Sequence, residues 1–181
     1  EPVADGAGPA PGSASAMVDP DAASAFSALT GALDPPMFIV TVHVRGERDG
    51  CLVGFATQAS IDPPRFLACL SERNRTYRLA RDADRMAVHV VPDEALDLAE
   101  LFGGSTGDEV DKLARCEWAE GPGGLPILAR CPSWFVGVVL DRRPLGDHVG
   151  FLLEPEAVSS TPPASALGLA RAKRIDPGHE A

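Results

Sequence analysis

Two adjacent prolines, Pro63–Pro64, stand between two apolar runs in the segment GFATQASIDPPRFLACLSERNRT, residues 54–76. Proline has no backbone N–H to give to a β-ladder, so it is confined to strand starts, edges and connections. The prolines therefore predict that one strand ends near Thr57 and that the next begins at Arg65. Gln58–Pro64 would then be a crossover whose backbone N–H groups need acceptors outside a ladder. Water and a flat ring rich in carbonyl and imine acceptors are the two candidates.

Short apolar runs of strand length recur along the chain, separated by polar or glycine-rich stretches. The pattern predicts two hairpins, which turn through Arg45–Gly50 and Asp141–Asp147. The expected strands are Met37–Val44, Cys51–Thr57, Arg65–Leu70, Met86–Val91, Ser133–Leu140 and His148–Leu153. Consecutive short strands with few and peripheral helices favour a mainly β fold, a small antiparallel barrel.

Helical spacing occurs at the periphery of this pattern. Phe26, Leu29 and Leu33 predict a helix over residues 20–33, which the capping residue Asp19 begins. Two more short helices are expected, over Thr76–Ala83 and Asp93–Phe102.

Composition shifts mark the ends of the chain. Residues 1–18 are rich in Ala, Gly, Pro and Ser without periodicity, which predicts a disordered tail. Residues 19–158 are expected to form one domain. Residues 159–181, which contain SSTPPASALGLA and a charged end, are expected to be a tail or a dimer arm.

The charge of the chain excludes some classes of partner. A formal net charge of −10 argues against nucleic-acid binding, which needs a basic face. No apolar run approaches the ~20 residues of a membrane helix, and no signal-peptide pattern begins the chain. The four cysteines lack a CxxC pair, so we expect reduced thiols in a cytoplasmic protein rather than a zinc site.

The stretch SERNRT, residues 71–76, follows a predicted strand and opens a predicted helix. Unpaired N–H groups and the positive end of the helix dipole favour an anion there. The Arg75 guanidinium and the Thr76 hydroxyl suit a phosphate. The alternative is that Asn74 or Thr76 only caps the helix and that the arginines are solvated.

His148, in LGDHVGF, lies where a turn becomes a strand. With the carboxylate of Asp147 beside it, its imidazole is able to donate to a ligand carbonyl or to assist proton transfer near neutral pH. The alternative is an ordinary Gly146–Asp147 turn followed by a half-exposed histidine without a role.

Three motifs together resemble the flavin reductase-like, FMN-binding split-barrel family. They are TQASIDPPRFLACLSERNRTYRLA (57–80), DKLARCEW (111–118) and GDH (146–148), and the likeness covers roughly residues 33–158. The resemblance implies a homodimer of six-stranded antiparallel split β-barrels with Greek-key elements. It further implies FMN, or FAD, near the subunit interface, NAD(P)H as co-substrate, and a flavin-dependent monooxygenase as a possible partner.

The resemblance also implies roles for particular residues. The flavin ring would meet the backbone amides of Gly54, Phe55, Ala56, Thr57 and Gln58. The ribityl chain and phosphate would be held by Ser71, Asn74, Arg75 and Thr76. Phe102 and Lys112 would approach from the loop side, and His148 would face the nicotinamide as the candidate catalytic residue.

Some positions depart from the family pattern. Leu52, Gly54 and Phe55 stand where Thr or Ser is frequent, and Leu153 stands where glycine is frequent. Two other functions therefore stay open. One is an FMN-binding store, sensor or partner subunit without rapid NAD(P)H turnover, and the other is a deazaflavin- or haem-linked protein on the same barrel.

Overall fold

The structure, a computed structural model, describes residues 19–159 and 161–176. Helix α1 (Pro20–Gly31) belongs to a compact unit that ends at Leu33, and the described residues from Asp34 onwards form a second unit. The predicted start of α1 is confirmed, because the Asp19 carboxylate accepts a hydrogen bond from the Asp21 N–H at 2.9 Å. The predicted tail over residues 1–18 lies outside the described residues.

The second unit is built mainly from strands. In its described part they are β1 (Phe38–Val44), β2 (Glu47–Val53), β3 (Ala56–Ser60), β4 (Arg65–Ser71), β5 (Arg85–Val90), β6 (Trp118–Glu120), β7 (Pro126–Leu128), β8 (Trp134–Pro144) and β9 (His148–Val158). The helices are α2 (Arg75–Ala80), α3 (Leu96–Gly103) and α4 (Leu169–Ala172), with 3₁₀ turns at Leu113–Arg115 and Pro122–Gly124. No helix in these described ranges is long and apolar enough to cross a membrane.

The main sheet has seven strands in the order β2-β1-β5-β8-β9-β4-β3, and every neighbouring pair is antiparallel. Strands β6 and β7 form a separate small sheet. The prediction of a mainly β, antiparallel fold with few helices is confirmed. The main sheet contains one strand more than the six expected, because the residues after Gly54 form β3.

The predicted crossover over Gln58–Pro64 is wrong. β3 pairs with β4 from Ala56 opposite Ala68 to Ser60 opposite Arg65, so the two strands make a hairpin. The prolines lie in its turn, where the Asp62–Pro63 peptide bond is cis. Proline does lie outside the β-ladder, but a hairpin turn meets this requirement as well as a crossover does.

Alternate side chains of β1 belong to two core clusters, one on each face of the main sheet. Phe38, Val40 and Val42 belong to a buried cluster that also contains residues of β2, β4, β5 and β9. Ile39 belongs to a second cluster on the other face, with Leu98 and other residues of α3. Because side chains of a strand point alternately to opposite faces, one short strand contributes to both clusters.

A buried histidine connects β1, β5 and β7. His89 is fully buried, its Nδ1 lies 3.0 Å from the Ile39 carbonyl oxygen, and its Nε2 accepts a hydrogen bond from the Leu128 N–H at 3.2 Å. These partners require a neutral ring with its proton on Nδ1. Burial lowers the pKa of His89 to about 4.

We predict that the free energy of unfolding decreases as the pH falls from about 6.5 to about 4. Over this range the unfolded chain binds a proton at His89 and the folded chain does not. The part of the free energy of unfolding that depends on a neutral His89 is therefore complete above about pH 6.5 and lost by about pH 4. The shift corresponds to about 3 kcal/mol. Urea unfolding of the wild type and of His89→Gln at several pH values measures it.

His43→Gln is the matched control, since His43 is only half-buried near the end of the neighbouring strand and bonds only to a loop carbonyl in the described contacts. We expect this variant to keep the wild-type pH dependence, which the His89→Gln variant should lose in part. Equal slopes in the wild type and in His89→Gln would contradict the assignment.

Candidate functional site

The two edge strands of the main sheet lie near each other with a gap between them. β2 and β3 lie at opposite edges, yet only Gly54–Phe55 connects them, so the sheet curls until its edges approach each other. The ladder between β3 and β4 ends near the connection, with the hydrogen bond from the Cys69 N–H to the Phe55 carbonyl at 2.9 Å. Beyond it, β2 pairs only with β1 among the described strands. Backbone groups along the gap are therefore available to a ligand or to water.

A cavity of about 260 Å³ lies at this gap. Its lining is polar where it includes the gap backbone and the side chains of Ser71, Asn74 and His148. It is apolar where it includes Met37, Leu52, Leu169, Ala172 and Ile175. A lining of this kind suits a flat ligand with one polar edge and one hydrocarbon edge.

The cavity brings together five of the predicted site residues, Gly54, Phe55, Ser71, Asn74 and His148. Ser71 ends β4 and pairs with His148 across the β4–β9 ladder. The side-chain oxygen of Asn74 accepts a hydrogen bond from the Thr76 N–H at 3.0 Å, which confirms that Asn74 caps α2. Asn74 therefore has a structural role and also lines the cavity.

His148 begins β9, as predicted, and two neighbours orient its ring. Its Nδ1 lies 2.8 Å from the Asp147 carboxylate, and this hydrogen bond lowers the pKa of Asp147. The ring of Phe55 meets the imidazole edge-on, with centroids 5.1 Å apart. With Nδ1 directed at the carboxylate, Nε2 remains as an acceptor on the neutral ring or as a donor on the protonated ring.

Ala56, Thr57 and Gln58 lie in β3, next to the cavity rather than among the residues that line it. Their backbones pair with β4. The Gln58 side chain donates to the Ser60 carbonyl at 3.1 Å, and the Thr57 hydroxyl donates to the Gln58 carbonyl at 3.3 Å. Their contact with a flavin ring remains a prediction.

A buried carboxylate, Asp49, brings together three other predicted residues. The Thr76 hydroxyl donates to Asp49 Oδ2 at 3.1 Å, and Arg75 Nη1 lies 3.4 Å from the same oxygen. Lys112 Nζ lies 3.6 Å from Oδ1, and the Lys112 side chain is 1% exposed. The Lys112 ammonium and the Asp49 carboxylate are both deeply buried, so each charge is stabilised by the other rather than by water.

The fourth predicted residue on this side is Phe102, which is 2% exposed and packs in the core. Its Cε1 lies only 2.9 Å from the point that a Cβ on Gly50 would occupy, so Gly50 allows the ring to pack on β2. The Lys112 ammonium lies 5.8 Å from the centre of the Phe102 ring. The Phe102 ring thus packs against β2 and beside Lys112, on the core side of the Asp49 cluster.

Asp49 was not among the predicted site residues, because the predicted turn of the first hairpin, Arg45–Gly50, includes it. The real turn has two residues, since Val44 pairs with Glu47, and Arg45 and Gly46 have φ values of 51° and 85°. Positive φ at both positions is typical of a type I′ turn. β2 therefore begins earlier than predicted, and Asp49 is a buried strand residue.

Three carboxylates surround the guanidinium of Arg75. Besides Asp49, Glu47 Oε2 lies 3.1 Å from Nη2, and Asp108 Oδ1 lies 3.7 Å from Nε. The Glu47 and Asp108 side chains are more than half exposed, at 63% and 51%. Exposed ion pairs contribute at most about 1 kcal/mol, so a phosphate is able to displace these two. Phosphate binding by Arg75 and Thr76 remains a prediction.

Cys51 connects the cavity to the Asp49 cluster. It lines the cavity, and burial raises the pKa of its thiol to about 12, although a hydrogen bond with Thr76 and the charge of Lys112 oppose the shift. The thiol stays protonated at neutral pH and packs as a small apolar group. All four cysteines are free thiols.

The described C-terminal residues also line the cavity, which the sequence analysis did not predict. Leu169, Ala172 and Ile175 are part of its wall, and Leu167 is fully buried. They fall in the stretch expected to be a tail or a dimer arm. The recurrence of apolar residues in ALGLARAKRI was the available signal.

Comparison with known proteins places these features in context. The family model described as flavin reductase-like domain matches residues 30–174. The reductase subunit Stc3 of stachydrine N-demethylase from Rhizobium meliloti is 31% identical over 136 residues, which are 73% of this chain and 57% of that protein. The chain thus spans a little over half of the length of this relative.

Two further proteins are similar over more of their length. The FMN reductase (NADH) RutF of Methylorubrum extorquens is 27% identical over 155 residues, 86% of this chain and 75% of that protein. Among solved structures, an FMN-binding protein from Thermus thermophilus superimposes with a TM-score of 0.65 at 25% identity. The match covers 87% of this chain and 79% of that one.

We predict that Asp49→Ala lowers the free energy of unfolding by about 3–5 kcal/mol, because it leaves the Lys112 ammonium buried without its carboxylate. Glu47→Ala is the matched control, since it removes an exposed carboxylate from the same arginine, and should cost less than about 1 kcal/mol. Urea unfolding measures both. Adding Lys112→Met to Asp49→Ala should recover part of the loss, and an absence of recovery would contradict the pairing.

Proposed function

This chain belongs to the flavin reductase-like domain family, and from that premise we propose that it binds FMN or FAD and transfers a hydride from NADH or NADPH to the flavin. The observation that carries the proposal is the cavity at Gly54–Phe55, whose lining is partly polar and partly apolar. A flavin ring has an edge of carbonyl and imine acceptors and an opposite hydrocarbon edge. Relatives named FMN reductase (NADH) and FMN-binding protein support the choice of ligand.

The residues of this chain would bind and orient the ligand, since a bound flavin supplies the hydride chemistry itself. Backbone N–H groups along Gly54–Gln58 would donate to the polar edge of the ring, and Ser71 and Asn74 would hold the ribityl chain. A Cβ at position 54 would contact Met37 at 3.5 Å and Leu169 at 3.6 Å, two residues that line the cavity, so glycine leaves this part of the cavity open to a ligand.

The phosphate would be held beside α2, at the end of β4. Arg75 would exchange one of its exposed partners, Glu47 or Asp108, for a phosphate oxygen, while Asp49 keeps the guanidinium in place. Such an exchange is favourable because a charge-assisted bond to phosphate is stronger than an exposed ion pair. Lys112 and Phe102 would support this arrangement from the core.

His148 would face the nicotinamide. Asp147 and Phe55 already orient its ring, so that Nε2 is able to donate to a ligand carbonyl or to move a proton. This role needs no catalytic triad, because the protein has only to position the two ligands and to provide a matching polarity.

The finer parts of the sequence-based description belong to the same proposal. They are a split barrel with Greek-key elements, a homodimer and a cytoplasmic location. The short Gly54–Phe55 connection between opposite sheet edges supports the split barrel. The relative named as a reductase subunit supports a partner protein that consumes the reduced flavin, for which we propose a flavin-dependent monooxygenase.

We predict that the purified chain takes up FMN or FAD and that NADH or NADPH bleaches the visible flavin absorption under anaerobic conditions. Absorbance spectra before and after each addition measure this. Reduction by dithionite alone would instead favour the FMN store or sensor. A Soret band, or no response to either flavin, would contradict the proposed function.

We predict that His148→Ala lowers kcat for NAD(P)H oxidation about 10- to 100-fold, the effect of losing one hydrogen bond to a charged group. The Kd for flavin should change much less, because the ring would be held mainly by the gap backbone. Stopped-flow reduction and fluorescence titration separate the two quantities. Asp147→Asn, which keeps the imidazole but weakens its orientation, should give an intermediate loss of kcat. An equal loss of affinity and turnover in His148→Ala would make His148 structural.

A further inference from the structure

We infer that three C-terminal side chains determine which flavins the cavity admits, because with Met37 and Leu52 they form its apolar lining. Leu169, Ala172 and Ile175 are called here the C-terminal wall. The inference rests on the proposed function and adds to it a specificity element within residues 159–181. The ligand class is a flavin whose benzenoid edge carries only small apolar groups.

Backbone hydrogen bonds fix the segment that carries the wall. The Leu167 N–H donates to the Val91 carbonyl at 2.8 Å, and the Leu167 carbonyl accepts from the Met37 N–H at 2.8 Å. Leu167 thus lies between the ends of β1 and β5 and is fully buried. Bridges between Pro36 and Gly168 and between Pro92 and Ala166 continue this pairing. The segment is therefore an integral part of the second unit.

Side chains hold the start of α4 in the same place. The Asp34 carboxylate accepts a hydrogen bond from the Ala170 N–H at 2.7 Å. The same carboxylate lies 2.5 Å from the point that a Cβ on Gly168 would occupy, so a side chain there would displace the carboxylate from the Ala170 N–H. Arg171, in the same helix, forms an ion pair with Asp93. These contacts leave α4 little freedom to move away from the cavity.

The three residues of the wall lie on one side of α4 and of the turn that follows it. Leu169 Cδ1 lies 3.6 Å from the Cβ position of Gly54, at the gap, and Ile175 Cγ2 lies 3.4 Å from that of Gly104, after α3. Ala172 lies between them in sequence and is 6% exposed. Ala170, two residues before Ala172, is exposed to solvent. The wall therefore extends from the sheet gap to the end of α3.

An apolar wall has a clear chemical consequence for selection. It contacts a hydrocarbon edge without cost, but it leaves a hydroxyl or a charged oxygen without a partner. A ring that is enlarged at the same edge would overlap the wall. The cavity should therefore favour dimethylbenzenoid flavins over 8-hydroxy-5-deazaflavins and over flavins with a bulky 8-substituent.

The test compares one substitution on two sides of the same helix. Ala172→Phe should weaken FMN binding at least about 10-fold, because it fills the cavity, whereas Ala170→Phe should change it less than about 2-fold. Fluorescence titration gives the Kd, and urea unfolding shows whether each variant is folded. Equal affinities of the two variants would overturn the inference.

A second pair of variants keeps the test decisive if Ala172→Phe does not fold. Leu169→Ala and Ile175→Ala should weaken FMN binding and raise the affinity for 8-dimethylamino-FMN relative to FMN at least about 5-fold. A general loss of structure lowers both affinities, so an unchanged ratio would overturn the inference. If the wild type binds neither flavin, the proposed function itself fails. If it binds FMN while every variant matches Ala170→Phe, only the inference about the wall fails.

Discussion

The structure depends on one covalent constraint, which is that two residues connect strands at opposite edges of a seven-stranded sheet. Gly54–Phe55 is too short to cross a flat sheet, so the sheet curls and its edges meet without pairing. Unpaired backbone groups are costly when they are buried and useful when a ligand satisfies them. The cavity lies where the two sheet edges meet without pairing, and its polar lining includes backbone groups that have no partner strand.

The charges beside the cavity are organised by a carboxylate rather than by the arginines themselves. Asp49 binds Arg75, Thr76 and Lys112, and Thr76 also bonds to Cys51 on the cavity side. A cation that is held by a buried partner keeps its position when an exposed partner leaves. This arrangement would suit the phosphate site that we propose, because most of the ordering takes place when the chain folds.

The third component of the site is the C-terminal segment, which the sequence analysis treated as peripheral. Its backbone pairs with the ends of β1 and β5, and its side chains complete the apolar lining. The two sides of the cavity thus come from distant parts of the chain. This explains why the motifs that resemble the flavin reductases describe the polar side of the cavity well and omit its apolar side.

Local chemistry determined much of this protein from its sequence alone. The Asp19 cap, the strand over Met37–Val44 and the position of His148 at the start of β9 depend on near neighbours, so they were predictable. Sheet order, the burial of Asp49 and the place of Leu169 were decided only by the tertiary structure. They depend on contacts between residues far apart in sequence, which neither periodicity nor turn propensity records.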